Sequence, residues 1–105
     1  MNKINYEKVE FELPEGWKIN INNLFKIEIE KNDDNIWDKF SEDMFNMVNS
    51  EKKLIIDVGW YPQFDVNGHF GLIVIKDNVW LKPIDTLVTR DINEIINKIN
   101  AIIHQ

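Results

Sequence analysis

The stretch Leu54-Ile55-Ile56-Asp57-Val58-Gly59-Trp60-Tyr61-Pro62, answered after a polar connection by Phe70-Gly71-Leu72-Ile73-Val74-Ile75-Lys76, decides the fold. The first run is almost continuously apolar, as a central strand requires, and Pro62 stops it because proline brings no N–H to a ladder. Asn67-Gly68, between the two runs, is a strong short-range hairpin signal, so residues 70–76 return beside the first strand. Alternation puts Asp57 on one face with Ile55 and Gly59, and Ile56, Val58 and Trp60 on the other. A carboxylate in so apolar a strand needs either a cation, which Arg90 or a lysine can supply, or a face open to solvent or to a partner. Small antiparallel sheets commonly cover one face only, which favours the open face.

Upstream, Val9, Phe11 and Leu13 alternate with Glu10 and Glu12, and Pro14-Glu15-Gly16 then turns the chain. Trp17, Ile19 and Ile21, then Phe25, Ile27 and Ile29, continue the period of two and predict a hairpin. Beyond the polar loop 31–35 the period changes. Ile36, Trp37, Phe40, Met44, Met47 and Val48 recur near i, i+4, i+8 and i+11, which predicts an amphipathic helix over residues 34–50. Downstream, Asp77-Asn78 is a turn, Lys82-Pro83 a break, and residues 84–89 a short β-branched strand. Asp91 with Glu94 three residues on forms a capping pair. From there Ile92, Ile95, Ile96, Ile99, Ile102 and Ile103 make a helical stripe over residues 91–104. The expected fold is α+β: an antiparallel or mixed sheet of about five to six strands under two helices, in a single domain spanning residues 1–105.

Composition removes several classes of chemistry. The chain has no cysteine, which excludes disulfides, thiolate metal sites and a cysteine nucleophile. His69 and His104 are the only histidines, and His69 has only Asp57 and Asp65 near it in sequence, so no metal and no cofactor are expected. Ser41 and Ser50 fall in or beside the predicted helix rather than on a strand-to-helix elbow, and the glycines form no phosphate-binding loop. Adjacent carboxylates such as Asp33-Asp34 and Glu42-Asp43 point to different helix faces and cannot share a proton. No apolar run reaches a membrane span and the first residues lack a signal-peptide core, so a cytoplasmic protein is expected.

Eighteen acids against twelve Lys and Arg leave a net charge of −6, which repels nucleic acid and attracts a basic protein. Seven of those acids, with three lysines, lie between Lys26 and Asp43. Aromatic residues gather around the central hairpin. Trp60 and Phe70, on strands, belong to the core, whereas Tyr61, Phe64 and Trp80, near turns, are candidates for exposure and for binding hot spots.

Residues 54–76, with Trp80, Pro83 and the Thr89-Arg90-Asp91 helix start, resemble small bacterial immunity proteins of contact-dependent growth inhibition systems. Asp57-Val58-Gly59-Trp60-Tyr61-Pro62 and the hairpin after it are the most specific part, and the likeness extends from about Trp37 to the C-terminus. It implies a non-enzymatic protein that binds the toxin domain of a cognate effector, frequently a nuclease and here preferably an RNase, one to one, and blocks its active site. Contact residues are expected from charge and aromaticity alone: Asp33, Asp34, Asp38, Glu42, Tyr61, Phe64 and Trp80. One sheet and two apolar helix faces suffice for a core, so the isolated protein is expected to be a monomer or weak dimer, away from membranes. Two other classes fit the sequence: a small enzyme or ligand-binding domain using Asp57, Tyr61 and His69, and a structural subunit of a larger assembly.

Overall fold

The computed structural model describes residues 7–29 and 36–105. Five strands, β1 (Trp17–Asn22), β2 (Phe45–Asn49), β3 (Leu54–Tyr61), β4 (His69–Lys76) and β5 (Asp85–Thr89), form one antiparallel sheet whose spatial order is the chain order. One helix, α1 (Ile92–Ile103), follows β5. The α+β class and the antiparallel sheet agree with the sequence reading, and the number of helices does not.

β3 and β4 pair over their full length, from Leu54 opposite Lys76 to Tyr61 opposite His69. Ile56, Val58 and Trp60 from β3, with Phe70, Leu72 and Val74 from β4, are buried on one face. α1 lays Ile92, Ile95, Ile99, Ile102 and Ile103 into the same core. Asp91 caps this helix by accepting a 2.8 Å hydrogen bond from the Asn93 N–H, which satisfies one of the free donors of the first turn. At the far side of the core, Phe40, Trp60 and Phe70 pack edge to face or tilted, with ring centres 4.8 to 6.0 Å apart.

The helix expected over residues 34–50 is absent from the described part of that span. Residues 36–44 contain a single 3-10 turn, Trp37–Lys39, and 45–49 are strand β2. The backbone bonds across to β3 rather than along itself. Met44 N–H donates to Val58 C=O, Trp60 N–H to Ser41 C=O and Phe64 N–H to Phe40 C=O. Ser41 and Ser50 therefore lie on no helix. The N-terminal strands are also fewer than expected. Residues 7–9 meet 24–26 in one short bridge, Lys8 opposite Phe25, and β1 pairs with β2 rather than with residues 25–29.

Candidate functional site

α1 covers one face of the sheet. The opposite face carries, by alternation, Asn46 and Val48 of β2, Ile55, Asp57, Gly59 and Tyr61 of β3, His69, Gly71, Ile73 and Ile75 of β4, and Thr86 and Val88 of β5. Of these only Gly59 and Ile75 are buried, and Val88 is 64% exposed. The open-face expectation for Asp57 therefore holds. Its partner is an amide, not a cation: Asn46 Nδ2 donates to Asp57 Oδ2 at 3.1 Å, and Asn20 Nδ2 donates to Asn46 Oδ1 at 3.0 Å, so a polar row crosses three strands. Burial raises the Asp57 pKa, the hydrogen bond from Asn46 opposes the rise, and the charge of Asp43 adds to it.

Two glycines facing each other across β3 and β4, Gly59 and Gly71, leave a shallow saddle on this face. Tyr61 lies over it. A Cβ on Gly71 would stand 3.2 Å from the Tyr61 ring, and one on Gly59 would stand 2.9 Å from its hydroxyl and overlap the Glu42 carbonyl oxygen. The close approach of residues 41–44 to β3 thus depends on Gly59, and it brings Glu42 and Asp43 to the Tyr61 end of the sheet. Burial raises the Tyr61 pKa, and Asp57, Glu42 and Asp43 raise it further, so three carboxylates from two segments act on one phenol. Tyr61 keeps its proton at neutral pH and presents a donor and a half-exposed ring beside them.

The expected contact residues divide. Asp38, Glu42, Tyr61 and Phe64 gather at the end where β3 meets β4 through residues 62–68, and Tyr61 and Phe64 are 40% and 53% exposed. Trp80, 47% exposed, follows Lys76 at the other end, one β3 length or roughly 25 Å away. It is accompanied by Leu81, which is 96% exposed. Asp33 and Asp34 lie outside the described residues. Asp43 and Asp57 join the acidic group, and alternation in residues 45–49 would have revealed the placement of Asp43.

For the alternative chemistry, His69 stands opposite Tyr61 on β4, and its Nδ1 is buried with no hydrogen-bond partner among the described residues. His69 is thus half-buried in the sheet rather than a solvent-exposed turn residue. Arg90 does not reach for Asp57. Its guanidinium stacks over the Trp60 ring, 5.5 Å from the centroid, and donates to the carbonyls of Val66 and Gly68. No group of three or more potential metal ligands converges among the described residues. A cavity of about 410 Å³ beside the start of α1 is lined by Ile27, Ile29, Thr89, Asp91 and Ile92, among others, and Asp91 there is engaged as the helix cap. No helix among the described residues is long and apolar enough to cross a membrane. No protein-family model, curated protein or solved structure matches the chain.

Proposed function

We propose that this protein is an immunity protein that binds a basic toxin domain of a contact-dependent growth inhibition effector, and that it does so as a non-enzymatic, one-to-one inhibitor in the cytoplasm. The observation that carries the reading is the sheet face that α1 leaves uncovered, which bears Asp57 and Tyr61 and beside which residues 41–44, hydrogen-bonded to β3, bring Glu42 and Asp43. A nuclease must be positively charged where it holds a phosphate backbone, so an acidic face bearing an aromatic ring fits that groove as a phosphate mimic. The likeness of residues 54–76 to such immunity proteins points the same way, and an RNase is the favoured toxin.

The first test is co-expression with the toxin domain encoded beside the gene. Growth should be rescued, and the purified pair should elute as a one-to-one complex; a toxin that neither binds nor is neutralised would overturn the proposal. Charge and contact then separate in the kinetics. Neutralising Glu42, Asp43 and Asp57 together should lower the association rate, and the deficit should shrink at 0.15 M salt, where the screening length is roughly 8 Å. Tyr61→Ala should instead speed dissociation. Charge-neutralised protein that associates as fast as the parent at low salt would reduce this face to ordinary solvated surface.

A further inference from the structure

The seven residues that join β3 to β4, 62–68, are held from three directions by groups of the core. Phe64 N–H donates to Phe40 C=O at 2.7 Å, and Trp60 Nε1–H donates to Asp65 C=O at 2.7 Å. Arg90, fixed over the Trp60 ring, donates to the carbonyls of Val66 and Gly68. Within the loop, Asn67 N–H donates to Asp65 Oδ1 at 2.7 Å and Gly68 N–H to Asp65 C=O at 3.0 Å. The approach is tight enough that a Cβ on Gly68 would strike the Trp60 indole nitrogen. At the crest, Phe64 has φ 61°, a left-handed conformation that a bulky side chain adopts only at a cost.

Among the described residues, no ring contact explains why that position carries phenylalanine. A glycine would sit there without strain, and the ring is 53% exposed, beside Val66 at 48%. Strain of this kind persists where the surroundings over-determine it, and it concentrates at ligand clamps. An aromatic ring on an already immobile backbone loses little freedom on binding, which is what an anchor residue requires. Asp65 belongs to the loop, and Asp38 and Glu42 each lie two residues from Phe40, whose carbonyl holds Phe64.

We infer that residues 62–68 form a preformed knuckle whose Phe64 ring enters an apolar pocket rimmed by Lys or Arg on the basic partner, with Arg90 as the positioning residue that latches the knuckle. This rests on the proposed function and adds to it the anchor, the latch and the chemistry of the receiving pocket. Arg90 touches no partner in this scheme; its planar fork holds two carbonyls and an indole face at once, which a lysine ammonium cannot do.

The test uses the full chain and the purified toxin domain encoded beside the gene, with a thermal melt of every variant. Phe64→Gly should melt no lower than the parent, yet dissociate about thirtyfold faster, the change that marks a hot spot. Arg90→Lys should keep the dispersed signals of a folded protein, accelerate amide exchange of Phe64 and Gly68 but not of Ile56 or Leu72, and slow association without changing its salt dependence. If Phe64→Gly leaves dissociation unchanged, or Arg90→Lys leaves loop exchange unchanged, the knuckle is overturned. In that case continued slowing of association by the Glu42, Asp43 and Asp57 changes would keep the acidic-face reading. Absence of any complex would remove both.

Discussion

Asp57 sits where stability and electrostatics oppose each other. Burial raises its pKa from the usual 3.8, so the folded protein keeps this proton to higher pH than the unfolded chain does. The site's contribution is therefore complete below pH 3.8, declines as pH climbs through the raised folded value, and stays at its lower level at neutrality. Asp57→Asn, whose carbonyl oxygen can still accept from Asn46, should raise the urea midpoint at pH 7 and lose that advantage as pH approaches 4. Equal midpoints for parent and variant at pH 7 would show that the ionised carboxylate is fully solvated. If the proposed role is right, the same substitution weakens partner binding, and the carboxylate is kept against the interest of stability. The glycines of the saddle differ from each other in the same concrete way. Alanine at Gly59 meets the backbone carbonyl of Glu42, which cannot move aside without breaking the 41–44 pairing, so a loss of about 1 to 3 kcal/mol is expected in chemical denaturation. Alanine at Gly71 meets only the Tyr61 ring at 3.2 Å, and a swung ring should make that change the milder one.

Each segment was readable from sequence to the degree that its own periodicity matched its final partners. The isoleucine stripe of α1 and the β3–β4 hairpin were legible because burial follows the 3.6 and 2 periods without conflict. Ile99 is fully buried and Ile96 only partly, so Ile99→Ala should cost about 2 to 5 kcal/mol and Ile96→Ala clearly less by thermal or urea unfolding. Residues 36–49 carried two overlapping patterns. The helical stripe from Ile36 to Val48 left out Phe45, and Phe45 is 1% exposed. That residue, alternating with Met47 and Asn49 among poor helix formers such as Asn46 and Asn49, was the sign of a strand. A helix there would also scatter the site, because Glu42 and Asp43 come to the Tyr61 end only when 41–44 runs beside β3. The pins on the 62–68 loop were beyond reach of any pattern. They end on backbone carbonyls, which carry no sequence signature.

The described residues extend 47 × 28 × 19 Å, and charge is distributed unevenly between the ends of β3 and β4. Asp38, Glu42, Asp43 and Asp65 outnumber Lys39 and Arg90 toward the Tyr61 end, whereas Lys52, Lys53, Lys76 and Lys82 outnumber Glu51 and Asp77 toward the Leu54 end. One ion pair, Lys98 with Asp85 at 2.6 Å, ties α1 to β5 and lowers the Asp85 pKa chiefly through the hydrogen bond it includes. A basic partner approaching in solution should thus be turned toward the Tyr61 end before contact. The strand order has a separate consequence for how the chain assembles. β2 to β5 are joined by connections of four, seven and eight residues, whereas 22 residues separate β1 from β2, its partner in the sheet. Closure entropy grows with the length of the segment to be closed, so the four-strand unit should form first and β1 should dock last. Native-state hydrogen exchange should then show the β1 amides that donate to β2 opening at lower free energy than those of Ile56 and Leu72, and equal protection would contradict that order. The N-terminal part could in that event detach and re-form while the strands bearing Asp57 and Tyr61 stay assembled, leaving the molecule briefly open at one side without surrendering the surface it offers to others.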